Sequence, residues 1–129
     1  MLFSSKNNSP AKTVFVVDDE VLLLDLAQEI LKPLGCQVRT FLDPEEALRE
    51  FIKAPPALVL TDYWMPRMSG MDLIRECRRL NPKQKIVLVS GTVDSEVFAD
   101  APVKPDVFVA KPYDVNKLVE VVRTMIKQG

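Results

Sequence analysis

The chain has 129 residues, 47% hydrophobic and 27% charged, enough for one core and with little room for a second domain. Seventeen Lys and Arg face 18 Asp and Glu, a net charge of -1, so no basic surplus argues for nucleic-acid binding by this chain. No apolar run reaches the roughly 18 residues of a membrane span, and the absence of histidine excludes histidine-based nucleophilic catalysis and histidine metal sites.

Residues 1–12 are Ser, Lys and Asn around a proline, without period, and read as a flexible tail; Leu2-Phe3 is too short an apolar patch for a signal peptide. Cys36 and Cys77 lack metal-type spacing and read as small buried hydrophobes, as in a cytoplasmic protein. Thr13-Val14-Phe15-Val16-Val17 is a β-branched run, a strand buried on both faces, tipped by Asp18-Asp19-Glu20. A helix follows, with Leu23, Ala27, Ile30 and Leu34 as its buried face and Pro33 and Gly35 at its end. Residues 38–42 form a second strand. Asp43-Pro44-Glu45-Glu46 starts a helix, Asp as cap and Pro at the first helical position, with Ala47, Leu48, Phe51 and Ile52 facing in.

Pro55-Pro56 stops that helix, and Leu58-Val59-Leu60-Thr61 runs as a buried strand into Asp62. The chain then turns through Pro66 and Ser69-Gly70 into a helix carrying Met71, Leu73, Ile74, Cys77 and Leu80. Residues 86–89 are a strand tipped by Ser90-Gly91. Residues 94–100 fit a short helix, cut off by Pro102 and Pro105. Residues 107–110 are the last strand, tipped by Lys111-Pro112, and a final helix over 114–127 turns Leu118, Val122 and Met125 inward.

Strictly alternating strands and helices predict an α/β fold of (βα)5 type, a flavodoxin-like doubly wound parallel sheet of order 2-1-3-4-5 with a short fourth helix. In that order the acids after the first and third strands converge at the switch point. A carboxylate at a buried strand tip does little for a core, which marks Asp62 as a phosphate acceptor. Clustered carboxylates repel unless a cation sits among them, and oxygen-only donors favour Mg²⁺. Ser90 adds a hydroxyl and Lys111 a positive charge, together an anion site beside a metal site.

The acid pair in Val17-Asp18-Asp19-Glu20, the Asp62 loop with Met65-Pro66 and Ser69-Gly70-Met71-Asp72, Ser90-Gly91 and Lys111-Pro112 occur in order, each at a strand tip. This pattern resembles the receiver domains of two-component response regulators, over residues 13–128. The resemblance implies that Asp62 takes a phosphoryl group from a phosphohistidine of a histidine kinase or phosphotransfer protein. It implies Mg²⁺ held directly by Asp19 and Asp62, by Asp18 largely through water, and by the Trp64 carbonyl. It gives Ser90 and the Gly91 N–H to the bound phosphoryl, pairs Ser90 with Phe108 as the conformational switch, and expects a cis peptide at Lys111-Pro112. A chain of this kind is a signalling switch that catalyses only its own phosphorylation and dephosphorylation.

Some features depart from the commoner family pattern. Trp64, two residues after the acceptor, and Thr92, two after Ser90, carry no acid or amide to orient water, which predicts a long-lived phosphoryl group. The proline-bounded fourth helix argues against the usual dimer through that surface. Val21 and Leu22 fall off the buried stripe beside the acid pair and suit a docking patch for kinase helices. Nothing after Lys127 reads as an output domain. Two alternatives use the same residues: a degenerate receiver serving as a scaffold, and a Mg²⁺-dependent aspartyl phosphohydrolase, against which Trp64 stands where a second acid is common. A flavodoxin-like nucleotide module would want a Gly- or Ser/Thr-rich loop after the first strand, where this chain has acids.

Overall fold

Side-chain alternation along buried strands sorts the apolar residues onto two faces of one sheet. The computed structural model describes residues 11–91, 101–111 and 114–127. Its elements are β1 (Thr13–Val17), α1 (Val21–Leu31) with a 3-10 turn (Lys32–Leu34), β2 (Gln37–Phe41), α2 (Pro44–Lys53), β3 (Leu58–Asp62), α3 (Gly70–Leu80), β4 (Lys85–Ser90), β5 (Val107–Ala110) and α4 (Val115–Lys127). All strand pairs are parallel, in the order β2-β1-β3-β4-β5, as the alternation predicts.

Val14 and Val16 of β1, with Leu58 and Leu60 of β3, pack in one layer against Leu24 and Leu31 of α1 and Leu118 and Val122 of α4. Phe15, Val17 and Val59 belong to the opposite layer, with Phe51 of α2 and Leu73 and Ile74 of α3. Every residue of β3 is buried, so the strand that ends in Asp62 is held from both sides. Truncating a fully buried leucine such as Leu31 or Leu58 to alanine costs about 2–5 kcal/mol. At the sheet's outer strand β2, Arg39 lies 5.4 Å from the centroids of both Phe15 and Phe41 and pairs with Glu50 at 2.9 Å, closing that layer at its edge.

Caps fix the helix starts. Asp43 accepts the Glu45 N–H at 2.9 Å ahead of Pro44, and Ser69 and Asp72 form a reciprocal capping box at α3. Asp114 accepts the Asn116 N–H at 2.8 Å before α4. Gly35 ends the 3-10 turn at φ 76, a left-handed backbone that glycine adopts without strain.

Several predicted faces are displaced. On α1 the buried residues are Leu24, Ala27 and Leu31, while Leu23, Ile30 and Leu34 are half-buried. The run Val21 to Leu24 is apolar all round, so its period alone did not choose a face. Ile52 is 63% exposed and Leu80 is exposed, each in the last turn of its helix, past the edge of the layer. Cys77 is buried but Cys36 is only half-buried. Lys12, placed in the tail by composition, is tied down: its carbonyl accepts the Gln37 N–H at 2.8 Å, and its ammonium donates to the Ile126 carbonyl. The rest of the predicted tail (residues 1–10), the short helix at 94–100 with its dimer surface, Thr92 and the Lys111-Pro112 peptide lie outside the described residues. Among the described residues no helix is long and apolar enough to cross a membrane.

Candidate functional site

Pairing carried one step beyond the strand ends places the functional side chains. The Asp18 N–H donates to the Phe41 carbonyl at 3.1 Å, the Tyr63 N–H to Val89 at 3.0 Å, and the Lys111 N–H to Ser90 at 2.8 Å. Asp62 registers with Val89, and Ser90 with Ala110. The tips of β1, β3, β4 and β5 therefore meet on one edge of the sheet, and Asp18, Asp62, Ser90 and Lys111 come with them. Asp18, Asp62 and Ser90 are 7%, 8% and 3% exposed, an unusual degree of burial for carboxylates.

Lys111 joins the two acids. Its Nζ lies 3.4 Å from Asp18 Oδ2 and 3.4 Å from Asp62 Oδ1. Burial raises Asp18 from the ordinary 3.8 to about 6, against the pull of Lys111 and of the Glu20 N–H, which donates to Asp18 Oδ1 at 3.0 Å. Asp62 is raised as well, again by burial and again opposed by Lys111. Burial pulls Lys111 down, but the two carboxylates outweigh it and its net shift is upward. A void of about 20 Å³ beneath Asp18, Asp62 and Lys111 has room for a single water.

The carboxylate oxygens of Asp18, Asp19 and Glu20 lie within 4.8 Å of one another, with Asp19 and Glu20 exposed. Hard oxygens on one buried and two exposed acids suit Mg²⁺ or a similar cation, so the donor chemistry fits the ion expected from sequence. Glu20 belongs to this grouping as well, and Lys111 bridges Asp18 to Asp62 beside it. Glu20 was visible in the sequence only as a neighbour of the pair.

The loop after Asp62 is pinned at both ends. Across Arg67, at φ 71, the Met68 N–H donates to the Pro66 carbonyl at 2.8 Å, a γ-turn that strains a non-glycine residue. Arg67 pairs with Asp43 at 3.3 Å, and the Thr61 hydroxyl donates to the Asp62 carbonyl at 2.9 Å. Gly70 sets α3 directly on the acceptor's backbone. Its N–H donates to the Tyr63 carbonyl at 2.7 Å, and a Cβ there would lie 2.3 Å from the Asp62 carbonyl oxygen and 2.9 Å from Tyr63 Cα. Both are backbone atoms that cannot swing aside, so Gly70→Ala should cost about 1–3 kcal/mol in urea unfolding. Unchanged stability would show that the loop yields freely. In the sequence Gly70 reads as a turn residue, and this through-space contact has no local signal.

Around the site, Trp64 is 75% exposed, so its indole is not packed into the loop that carries it. Val21 and Leu22 are exposed as expected, and Leu26, one turn beyond Leu22, extends the same apolar strip; the i, i+4 spacing was the available signal for it. Phe108 is half-buried in the α2–α3 layer, and its strand partner is Leu88, two residues before Ser90. Gly91 is exposed, and among the described residues a Cβ there would meet Lys111 Cβ at 3.7 Å, an ordinary contact.

The sequence profile of the response regulator receiver domain matches residues 14–123. The chain is 34% identical over 119 residues to the phosphoglycerate transport system transcriptional regulatory protein PgtA of Salmonella typhimurium, covering 90% of this chain and 28% of PgtA. It is 27% identical over 119 residues to the chemotaxis protein CheY of Thermotoga maritima, covering 90% of this chain and 98% of CheY. The CheY-like receiver domain protein of Methanospirillum hungatei superposes with a TM-score of 0.83 at 27% identity, covering 92% of this chain and 95% of that structure. The chain spans 52% of the sensory transduction protein RegX3 of Mycobacterium tuberculosis, so it corresponds to one part of several relatives and to nearly all of CheY.

Proposed function

This chain belongs to the response regulator receiver domain family, and from that premise we propose that Asp62 is its phosphoacceptor, served by Asp18, Asp19, Ser90 and Lys111. Receivers work as signalling switches that take part in exchanges with histidine kinases or phosphotransfer proteins. The observation that carries the assignment is the Lys111 ammonium set 3.4 Å from both Asp18 and Asp62.

An Asp62 carboxylate oxygen forms the new O–P bond as the P–N bond of the donor phosphohistidine breaks, and the imidazole leaves with the bonding pair. Such transfer is mostly positioning and electrostatics. Lys111 faces the incoming phosphoryl oxygens with a full positive charge. The Ser90 hydroxyl and the Gly91 N–H donate to the group once attached. Asp18 and Asp19 would hold Mg²⁺, with Asp62 and the Trp64 carbonyl completing the set; the ion supplies further neutralisation of phosphoryl charge when bound. The chain's turnover is confined to its own phosphorylation and dephosphorylation, and we place it in the cytoplasm on family membership.

Ser90 and Phe108 form the switch in this reading. They sit on adjacent strands, with Ser90 opposite Ala110 and Leu88 opposite Phe108, so a hydroxyl drawn toward the phosphoryl changes the space beside the ring. Phe108 stands where the family often carries tyrosine, so its ring turns in this switch without a hydroxyl of its own. Trp64 beside the acceptor carries no acid or amide to orient water, so the phosphoryl group is long-lived. Trp64→Asn should shorten its half-life several-fold, followed as loss of phosphoprotein after donor removal; an unchanged half-life overturns that role.

The kinase contacts the exposed strip of Val21, Leu22 and Leu26. Leu22→Glu should slow transfer from a phosphorylated kinase by about tenfold and leave labelling by acetyl phosphate intact, while Asp62→Asn loses both. Equal slowing by Leu22→Glu in the two assays would show damage to the site instead of to docking.

A further inference from the structure

We propose that the edge of the sheet opposite Asp62 carries a second anion site, for a small phosphate-bearing molecule of about nucleoside diphosphate size. A cavity of about 590 Å³ opens where β3 and β4 begin and α3 ends, bounded by Arg78, Asn81, Lys83, Gln84, Lys85 and Asp106. That volume is in the range of small-ligand sites, and its lining is polar and basic on a chain of net charge -1.

The floor is a closed hydrogen-bond network. Arg78 donates through Nε to the Gln84 carbonyl at 2.8 Å, through Nη1 to the Lys104 carbonyl at 3.0 Å, and through Nη2 to Asp106 Oδ2 at 2.8 Å. The same Asp106 oxygen accepts the Ile86 N–H at 2.7 Å. Gln84, 3% exposed, donates to the Pro56 and Lys85 carbonyls, each at 3.1 Å, and accepts from Asn81 Nδ2 at 3.2 Å. The one lining carboxylate is thus already engaged. Lys83 and Lys85, at the rim, have no carboxylate partner among the described residues.

A hydrogen-bonded floor with two ammoniums above it that no carboxylate neutralises among the described residues offers net positive charge to an anion. Phosphate is favoured over a carboxylate-bearing peptide because lysine ammoniums bind phosphate as point charges, whereas Arg78, the group suited to gripping a carboxylate with two hydrogen bonds, is already engaged. Pro56, Ala57 and Pro82 give one apolar wall for the uncharged part of such a ligand.

The test is a titration of the whole chain, followed by amide NMR without Mg²⁺, using inorganic pyrophosphate, adenosine and hexaglutamate as probes. Pyrophosphate should shift the Lys83, Gln84, Lys85 and Asp106 amides saturably, weaken as salt rises, and leave Asp18 and Asp62 unmoved, while adenosine does nothing. Lys83→Gln/Lys85→Gln removes one exposed and one half-buried charge, neither with a carboxylate partner among the described residues, and should bind pyrophosphate at least about tenfold more weakly with an unchanged melting temperature. No saturable shift, equal binding by the double variant, or tighter binding of hexaglutamate would overturn the proposal.

Discussion

Lys111→Met should slow phosphorylation by acetyl phosphate about a hundredfold or more, the scale seen when one preorganised charge or donor is removed from a transition state. The geometry supports so large an effect. Nζ stands 3.4 Å from Asp18 and from Asp62, and both acids are nearly buried. The phosphoryl group brings further negative charge to a place that already disfavours it. Lys111 is the cation that β5 delivers there, and removing it leaves two facing carboxylates pushed further upward in pKa. Lys111→Arg, which keeps the charge on a different shape, should recover part of the rate. A Lys111→Met rate within twofold of wild type would remove the lysine from the mechanism.

Mg²⁺ affinity should fall steeply with pH below about 6. The sign follows from Asp18, whose folded pKa of about 6 lies above its ordinary 3.8 because of burial. Without a cation, the folded protein holds a proton that the unfolded chain has released between those values. The contribution of Asp18 to stability is therefore greatest at low pH and is lost as pH rises through about 6. Mg²⁺ needs the ionised carboxylate, so binding must expel that proton, and affinity should drop by about tenfold per pH unit below 6. Calorimetric titration in buffers of different ionisation enthalpy would read the released proton directly. Asp18→Asn should bind Mg²⁺ weakly, with a flat pH profile over the same interval. A wild-type affinity constant from pH 5 to 7 would contradict the assignment.

Much of this site is legible in the chain because its logic is one of endings. Four apolar runs stop in polar residues, and parallel pairing brings those stops to one edge; Asp18, Asp62, Ser90 and Lys111 follow from that alone. Helix faces were harder wherever apolar residues are in excess. Val21-Leu22-Leu23-Leu24 offers no polar residue to set the rotation of α1, and only packing against Val14 and Val16 selects Leu24. The close approach of Gly70 to the Asp62 carbonyl, and the γ-turn at Arg67, depend on how α3 seats on β3, a through-space fact with no local signature. Glu20 joined the acid cluster for a related reason. Helix α1 starts at Val21, and with Asp18 receiving the Glu20 N–H, the third acid is turned back toward the first two.

The central claim is that Asp62 is the residue phosphorylated. Intact-mass measurement after incubation with acetyl phosphate and Mg²⁺ should show one added phosphoryl group, removed by hydroxylamine, lost when Mg²⁺ is chelated beforehand and absent from Asp62→Asn. A wild-type protein that gains no mass, or an Asp62→Asn protein that gains the same hydroxylamine-labile group, would contradict it.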